Sequence, residues 1–516
     1  MYFITFAALL PALLAVSFYS FYQSWRKSRA LNHVTTHEFG HGDNSRNRYI
    51  TDLKDLLETG YRKYNKSGQP FKVSIPVGGY SIKYRVLLPK DHLEEIKHLS
   101  NNIFSWALAS AVIFAQDYTG APNRGPWSGK ALRVGIHQNL SDITKQLNHK
   151  IDQYFAEHLP QDPQKPGSVN FMRFFVPAIA NVTNSLLVGE KLAADPEWIR
   201  QTCDFAVNRY KSADDVRAWP PYIATLVAPL IPSVRRLRQS RAYVKKQLTP
   251  MYEDLKARGM LSYGGDGNKN EKAKYRKGTY GYEWLWSGAP DSVTLDDFSD
   301  TMMRTLIASI HTTAKTMSVA LVDMLSQPQY LDELREEALQ AVQPDGTIDI
   351  DSLIKLDCFL KESQRLTPVF LLTMNRILTQ PYTFKVSGLS LPAGTMTTAA
   401  TAAVATDPDT FGADSNSFDG HRFLRLRESN GASKSALKMG MATEDSLGFG
   451  LGSQACPGRF FAVNQMKLML SKFITQWDLT LEKDNIKYEG GRPKYEYYDF
   501  SVVAPTQFGM KLRKRV

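Results

Sequence analysis

The most informative stretch of the chain is residues 447–462, which read Leu-Gly-Phe-Gly-Leu-Gly-Ser-Gln-Ala-Cys-Pro-Gly-Arg-Phe-Phe-Ala. Three alternating glycines in its first half let the backbone approach a large, flat partner without Cβ clashes. Its second half opens a helical pattern, with Pro457 predicted at the first helical position, where a missing N–H costs nothing. Cys456 is therefore predicted to lie at the N-terminus of a helix.

Cysteine usage singles out Cys456 as a chemically special group. The chain of 516 residues has three cysteines, far apart in sequence, which are too few for a disulfide framework and fit no zinc ribbon. The free N–H groups and the dipole of a helix N-terminus stabilise a thiolate. A thiolate held there is a good ligand for ferric iron. A buried structural cysteine is the ordinary alternative, and the specific pattern around Cys456 argues against it.

The pattern Phe449-x-x-Gly452-x-x-x-Cys456-x-Gly458 resembles the haem-binding signature of the cytochrome P450 superfamily. The resemblance implies haem b as the cofactor, with Cys456 as the axial ligand of the iron and the other three residues around it. Gln454 stands where that family usually has an arginine or histidine that reaches a haem propionate. The resemblance therefore implies an uncharged amide contact at this position.

Three upstream segments match further motifs of the family in the expected order. Glu362 and Arg365 are spaced i, i+3 on one helix face, which in isolation is an ordinary surface pair. In the family this Glu-x-x-Arg motif joins a later arginine, here Arg422, in a buried triad that supports the cysteine loop. Arg376 resembles the strand arginine that pairs with a propionate.

The segment from 127 to 147 resembles the family's helix beneath the propionates. Lys130, Arg133 and His137 are its candidate cations. His137 best matches the usual arginine-containing segment and is the residue that we favour.

The pattern Ala308-Ser-Ile-His311-Thr312-Thr lies within a long helical segment, 294–326. Serine and threonine in a helix often face water or bond back to the chain, which is the ordinary interpretation. The family places such a run over the haem, with a local opening of the helix where oxygen binds. The resemblance implies that Thr312 contacts the bound oxygen and that His311, which replaces an acid, or a water relays protons.

The periodicities predict one large, mainly α (α+β) domain with a small β-rich region. We expect an amphipathic helix over 50–64, a hairpin over 71–88, helices over 90–365, strand-rich sequence over 366–440, a helix over 457–474 and short strands over 478–514. The predicted organisation is an N-terminal transmembrane signal-anchor at 1–25, a linker at 26–48 and the catalytic domain at 49–516.

The anchor is predicted from a stretch without charge, Tyr2 to Tyr22, followed by Trp-Arg-Lys-Ser-Arg. Its length suits a ~30 Å hydrocarbon core, and its flank suits the cytosolic surface. A cleaved signal peptide is the alternative, but no charged residue precedes the apolar run. We expect a single-pass protein of the endoplasmic reticulum membrane with a cytosolic catalytic domain.

The formal net charge of +12 has no basic arm or repeat behind it, so nucleic acid is not the expected partner. A basic surface, including Arg459, suits docking to an acidic flavoprotein. The resemblance implies an NADPH-dependent reductase that supplies electrons, with O₂ as co-substrate.

Substrate chemistry is predicted from apolar positions in the variable segments of the family. They suggest a lipophilic secondary metabolite, a terpenoid or alkaloid, that is hydroxylated or otherwise oxidised. Oxidative coupling or ring formation without net oxygen insertion is the alternative on the same haem. The expected pocket residues are Phe104, Trp106, Phe114, Ala308, Val369, Phe370 and Leu372.

One motif indicates a different class of protein. His37-Glu38-x-x-His41 is a literal zinc-protease motif, in which a helix would present both imidazoles to zinc. Neighbouring threonines and glycines disfavour a helix there, and the motif lies in the predicted linker. We keep a membrane-anchored zinc protease as the alternative from another class.

Overall fold

Helices make up most of the chain in the computed structural model, which describes residues 22, 29–40, 45–75, 84–121, 127–258, 279–429, 435–482, 488–489, 492–503 and 505–516. In chain order they are α1 (Arg46–Thr51), α2 (Leu53–Lys63), α3 (Lys90–Ile96), α4 (Trp106–Ile113), α5 (Gln116–Thr119), α6 (Ser128–His158), α7 (Phe171–Val188), α8 (Glu190–Ala193), α9 (Pro196–Arg217), α10 (Pro221–Val227), α11 (Pro232–Ala257), α12 (Gly281–Ser287), α13 (Leu295–Ser326), α14 (Leu331–Gln340), α15 (Ile354–Leu366), α16 (Thr401–Ala405), α17 (Pro408–Phe411), α18 (Arg422–Glu428) and α19 (Arg459–Gln476).

The strands form small sheets beside the helices. They are β1 (Thr35–Thr36), β2 (Phe71–Ser74), β3 (Tyr84–Leu87), β4 (Phe104–Ser105), β5 (Gly167–Asn170), β6 (Leu372–Leu378), β7 (Tyr382–Thr383), β8 (Ser390–Leu391), β9 (Met396–Ala400), β10 (Trp477–Glu482), β11 (Tyr488–Glu489), β12 (Arg492–Pro493), β13 (Tyr497–Tyr498), β14 (Ser501–Val502) and β15 (Gly509–Lys514). The largest sheet has the order β1-β2-β3-β9-β6-β4, and a second joins β10-β15-β5.

Helix α13 is the central element of the core. It begins with a capping box, in which Thr294 and Asp297 exchange hydrogen bonds between side chain and backbone. Its 32 residues span ~48 Å at 1.5 Å per residue. It packs against α7, α9, α11, α15 and α19. Apolar residues that recur along it, such as Met302, Leu306 and Ile310, are fully buried. Helix α13 therefore fixes the relative positions of the five helices that pack against it.

The prediction of a mainly helical domain with small sheets is confirmed, but two helix boundaries differ. The helix expected over 50–64 is two helices separated at Asp52, whose backbone N–H still bonds to the Arg48 carbonyl. Helix α19 begins at Arg459 with Gly458 as its N-cap, two residues later than predicted. Helix ends read from sequence commonly shift by this much, because capping rather than apolar periodicity sets them. The strands of the predicted hairpin pair in antiparallel register, Phe71 with Leu87.

The N-terminal predictions meet the structure only in part. The anchor at 1–25 lies outside the described residues except for Tyr22, and α7 is the described helix with the length and apolarity of a membrane span, although most of it is buried in the domain. The described part of the predicted linker is ordered against the domain. Strand β1 pairs in parallel with β2, and Leu31 and Val34 are buried. Two apolar residues in a polar stretch were enough to dock it.

The zinc-protease motif does not form the geometry that its chemistry needs. Residues 37–39 continue from β1 without helical structure, and His41 lies outside the described residues. His37 packs edge-on against Tyr64 and Phe71, and its Nε2 is 2.9 Å from Thr59 Oγ1. Burial lowers the pKa of His37, and Lys63 lowers it further. Within the described ranges, no three His, Cys, Asp or Glu residues are grouped to hold a metal ion.

Candidate active site

The loop before α19 is held in a tight form by its own backbone. Gly450 and Gly452 have φ of +76° and +68°, a left-handed conformation that side chains other than glycine rarely adopt. The Cys456 N–H donates to the Phe449 carbonyl at 2.8 Å, which closes the loop. A Cβ at Gly452 would lie 2.0 Å from the Lys97 carbonyl oxygen. The glycine therefore permits a close approach between the loop and α3, whereas a Cβ at Gly458 would meet no atom of the described chain within 4 Å.

Cys456 lies just ahead of α19 and is half-buried. It precedes the N-cap by two residues, and Pro457 lies in the intervening turn and not at the first helical position. None of the three cysteines is in a disulfide. Burial raises the pKa of both Cys203 and Cys358 to about 12, so those two side chains are held as thiols. Cys456 differs from them by its place on a constrained loop beside a helix N-terminus.

Arg459 braces the cysteine loop from the first turn of α19. Its Nη1 donates to the Cys456 carbonyl and its Nε to the Gly440 carbonyl, each at 2.9 Å. Burial lowers the pKa of this guanidinium, although the nearby Cys456 opposes the shift. The side chain also lies over the Phe460 ring. Nε and Nη1 of Arg459 thus bond to carbonyls around the loop, and its contribution to partner docking stays a prediction.

Glu362, Arg365 and Arg422 form a buried ion-pair network. The Glu362 carboxylate, which is fully buried, pairs with the Arg365 fork through two bonds of 2.7 Å. It also accepts from Arg422 Nε at 3.2 Å and from the Asp419 N–H at 3.1 Å. Arg422 forms a second ion pair with Asp414, and these carboxylates keep its pKa raised although burial lowers it. Every oxygen and guanidinium of the triad is thus engaged, which fixes the segment around 414–422.

Helix α15 connects this network to the cysteine loop. A Cβ at Gly448 would lie 2.9 Å from Gln364 Oε1, so the loop packs directly on this helix. Lys361 donates to the Ala436 and Lys438 carbonyls, which lie on the segment leading to the loop. Burial lowers the pKa of Lys361 to about 8. On β6, Thr373 Oγ1 donates to the Leu447 carbonyl at 3.1 Å. The loop is therefore fixed from two sides.

The predicted oxygen-binding segment lies in the middle of α13. Ala308 is exposed, although it belongs to a helix whose neighbouring turns are largely buried. The Thr312 hydroxyl donates to the Ala308 carbonyl at 2.5 Å, and Ser309 Oγ bonds to Leu306 in the same way. The helix remains α-helical from Leu295 to Ser326, so the local opening that the family resemblance implies is not present in its backbone pattern. The hydroxyls satisfy carbonyls of an unbroken helix instead.

His311 faces away from Thr312 toward helix α9. Its Nε2 lies 2.9 Å from the Cys203 carbonyl. A carbonyl only accepts, so Nε2 carries the proton and Nδ1 is the acceptor. Burial is the largest cause of a lowered pKa for His311, and Lys315 lowers it further. The imidazole is therefore neutral near pH 7 and ties α13 to α9.

Among the candidate cations of α6, Arg133 is the one that contacts the cysteine loop. Its Nη2 donates to the Ser453 carbonyl at 2.8 Å. His137, which the sequence favoured, lies one turn further along the helix; all three cations are exposed, so the contact with Ser453 and not burial distinguishes Arg133. The position of each residue along α6 decides which cation reaches the loop, and sequence similarity did not resolve this. Arg376 is buried on β6, just after an irregularity in the β6–β9 pairing that redirects this part of the strand.

The expected pocket residues divide into two groups. Phe104 and Leu372 are buried in the sheet, with Phe104 packed on Tyr382 and Phe384, and their place in a pocket stays a prediction. Both are strand residues, Phe104 on β4 and Leu372 on β6. The others lie on or just after α4, on α13 and in the segment after α15, and are Trp106, Phe114, Ala308, Val369 and Phe370.

Sequence reasoning missed several charged residues around this region. Arg209 of α9 and Arg304 of α13 are buried and both approach the Phe114 ring. Lys315 donates from α13 to the Val502 carbonyl at 2.8 Å and to Ser501 Oγ at 3.2 Å, and burial lowers its pKa to about 8. No motif marks these positions. A charged residue on an otherwise apolar helix face was the available signal.

A second buried network joins α13, α15 and the C-terminal region. Arg492 pairs with the fully buried Asp323 through bonds of 3.0 and 2.6 Å. Ser363 Oγ donates to the same carboxylate at 2.6 Å, and Tyr495 OH at 3.2 Å. Arg492 also bonds to Thr367 Oγ1 at 3.1 Å. This network holds the chain end over the central helix.

Comparison with known proteins gives this arrangement a family. A sequence model of the cytochrome P450 family matches residues 130–494. The chain is 30% identical to the cytochrome P450 monooxygenase ccsG of Aspergillus clavatus, over 94% of each chain. It is 30% identical to pyrichalasin C-7 hydroxylase of Pyricularia grisea, over 93% of this chain and 92% of the relative. It is 27% identical to ent-kaurene oxidase of Gibberella intermedia, over 91% and 85%.

The chain belongs to the cytochrome P450 family, which confirms the resemblance seen in the cysteine loop. It is an oxidoreductase, a haem-dependent monooxygenase similar to monooxygenases of fungal secondary-metabolite biosynthesis.

The donor set of the site fits the haem that this family implies. A single thiol on a constrained loop suits an iron ligand, and the guanidinium groups of Arg133 and Arg376 suit the two carboxylates of the macrocycle. The amide oxygens of Gln454 and Asn375 are both buried without a hydrogen-bond partner in the described chain. Such oxygens normally accept a hydrogen bond, and a propionate would bond to these residues only through their NH₂ groups, because a carboxylate also accepts. Gln454 Nε2 itself donates to the Phe104 carbonyl at 3.2 Å.

Proposed function

We propose that this protein hydroxylates a lipophilic secondary metabolite, a terpenoid or alkaloid, with Cys456 as the residue that would bind the haem iron. The observation that carries the proposal is the cysteine loop, closed by the bond from the Cys456 N–H to the Phe449 carbonyl and braced by Arg459. The relatives named for hydroxylating pyrichalasin and oxidising ent-kaurene support a lipophilic substrate. Bound haem supplies the activation of O₂ and the insertion of one of its oxygen atoms into a C–H bond.

The residues of the loop and its supports have holding roles in this proposal. Cys456 binds the iron as a thiolate, and Phe449, Gly452 and Gly458 shape the loop around it. Arg133, Arg376 and Gln454 hold the propionates, the first two by charge and the third by its amide. The Glu362–Arg365–Arg422 network ties helix α15 to the segment at 414–422, and α15 in turn packs on the cysteine loop at Gly448, so the network limits movement of the loop.

Thr312 and His311, on helix α13, have different roles in proton delivery in this proposal. Rotating the Thr312 hydroxyl out of its bond to Ala308 lets it donate toward a ligand over the exposed Ala308. The Thr312 hydroxyl then holds a water or an oxygen atom beside Ala308, where the reaction needs a proton. His311 is a positioning residue, because its N–H is committed to the Cys203 carbonyl on α9. A water therefore carries the proton more directly than the imidazole.

Two electrons from NADPH reach the site through a separate flavoprotein reductase in this proposal. The net charge of +12 supports docking to an acidic partner. The apolar N-terminal run supports a single-pass anchor in the endoplasmic reticulum membrane, with the catalytic domain in the cytosol. We expect the protein to resist carbonate extraction from microsomes. We also expect protease added from the cytosolic side to digest its catalytic domain.

The ligand assignment is tested on the full chain with one variant and two matched controls. Cys456→Ala should abolish the thiolate-type spectrum of the reduced, carbon monoxide-bound protein. Cys203→Ala and Cys358→Ala should retain it, because burial keeps those groups as thiols. A normal spectrum in the Cys456 variant would refute the assignment. Product mass then separates hydroxylation, a gain of one oxygen, from coupling, a loss of two hydrogens.

A further inference from the structure

Two buried arginines from different helices meet at one aromatic ring. The guanidinium carbon of Arg209, on α9, lies 3.3 Å from the centroid of the Phe114 ring. That of Arg304, on α13, lies 5.6 Å from the same ring and 5.6 Å from the ring of Trp106. Their exposed fractions are 3% and 8%. Both guanidinium groups therefore approach one ring in a region that the sequence predicted to be an apolar pocket.

Arg209 is poorly satisfied by the protein itself. It makes one long hydrogen bond, 3.4 Å from Nη2 to Ser110 Oγ, and its Nε is buried without a partner. In the part of the chain that the structure describes, no carboxylate forms an ion pair with it. Three other buried arginines do have a carboxylate as counter-charge. Arg365, Arg427 and Arg492 each pair with a buried carboxylate, those of Glu362, Asp357 and Asp323.

Stacking on Phe114 does not account for this arrangement. A cation–π contact contributes ~0.5–2 kcal/mol. Removing a charged group from water costs several kcal/mol unless it gains both a counter-charge and hydrogen bonds. A guanidinium presents five donors in a rigid fork that matches a carboxylate. Arg209 is a buried fork with an open donor and no carboxylate paired to it, which is the arrangement expected of a receptor for an anion.

The position of the pair relates it to the proposed oxygen site. Arg304, Ala308 and Thr312 follow at intervals of four residues, so they share one face of α13. Ala308, between the other two, is exposed. Eight residues of helix place Arg304 about 12 Å from Thr312 along the axis. One face of the helix thus carries a cation at one end and the proposed oxygen site at the other.

We propose that Arg209 and Arg304 bind a carboxylate of the substrate, so that the enzyme acts on a lipophilic carboxylic acid. This inference rests on the proposed function and narrows its substrate class. The carboxylate accepts from the Arg209 fork and is shared with Arg304, while the apolar body of the molecule lies along the Ala308 face. Oxidation then falls on the part of the molecule about 12 Å from the acid group.

The test measures binding of a tricyclic resin acid, dehydroabietate, and of its methyl ester to the haem-loaded full-length protein by calorimetry. The pair shares one skeleton and differs in charge. The acid is expected to bind about tenfold to hundredfold more tightly than the ester. Arg209→Met should remove this preference, and Arg209→Lys should retain part of it. Arg200→Met is the matched control, because Arg200 is exposed on the same helix and pairs with Glu197.

Each outcome bears on one idea at a time. A wild-type protein that binds the acid no more tightly than the ester, or binds neither, would overturn the proposal. So would an undiminished preference in the Arg209→Met variant. The carbon monoxide spectrum of every sample reports the haem–thiolate site independently, and it also verifies that the variant is folded. A normal spectrum without acid preference would refute the carboxylate site alone, whereas a missing wild-type spectrum would refute the proposed function.

Discussion

Replacing Glu362 with glutamine removes the negative charge at the centre of the buried network and preserves its shape. The carboxylate has no exposed surface and accepts four hydrogen bonds, three from guanidinium groups and one from the backbone. A glutamine has one acceptor oxygen, so its NH₂ group is turned toward an arginine. Arg365 is then left buried without a counter-charge, while Arg422 retains Asp414. Breaking a buried pair in this way costs about 3–5 kcal/mol.

Because a haem protein of this size does not unfold in two states, two observables are needed. We expect Glu362→Gln to lower the urea midpoint of the holoprotein and to reduce its haem content per chain. Glu197→Gln removes a carboxylate that is exposed and paired with Arg200 at i, i+3, and it should change neither observable. A Glu362→Gln protein with normal haem content and an unchanged midpoint would show that the network does not support the loop.

Three further predictions concern single side chains. Thr312→Ala should bind haem normally but consume NADPH mainly to make hydrogen peroxide, and unchanged product per NADPH would contradict the assigned role. Gly452→Ala should lose the thiolate-type spectrum, because its Cβ would meet the Lys97 carbonyl at 2.0 Å, whereas Gly346→Ala, with φ of +78° and no neighbour within 4 Å, should keep it. Burial depresses the pKa of Lys315 to about 8 in the folded protein. Between pH 8 and about 10.5, this lysine therefore carries more protons in the unfolded protein than in the folded one. The stability of the folded protein rises with pH over that range. The stability advantage of Lys315→Met over wild type, measured by urea midpoints, should therefore shrink from pH 7 to pH 10, and a constant difference would refute the depressed pKa.

The sequence predicted best what depends on local spacing. The cysteine loop and the Glu-x-x-Arg pair lie within short stretches, so their geometry follows from turn and helix periodicity. The start of α19 was predicted two residues early, since Gly458 and not Pro457 ends the loop.

Contacts between distant segments were beyond the reach of sequence reasoning. Arg209, Arg304 and Phe114 meet only because α4, α9 and α13 pack together. Phe104 reads as a pocket residue in an apolar segment, but strand pairing with β6 buries it in the sheet. Aromatic character alone does not distinguish a pocket wall from a core.

The pairing of Asp323 with Arg492 imposes an order on the biosynthesis of the chain. The central helix carries a carboxylate whose counter-charge lies 169 positions later. At roughly 5–20 residues per second, a ribosome reaches Arg492 about 10–30 s after Asp323. Throughout that interval α13 has an unneutralised acid on a face that is destined to be buried, so the nascent domain stays open around it. Chains that stop short of the last 25 residues lack Arg492, so they leave Asp323 without this counter-charge and retain the exposed, incomplete core that chaperones and proteases recognise.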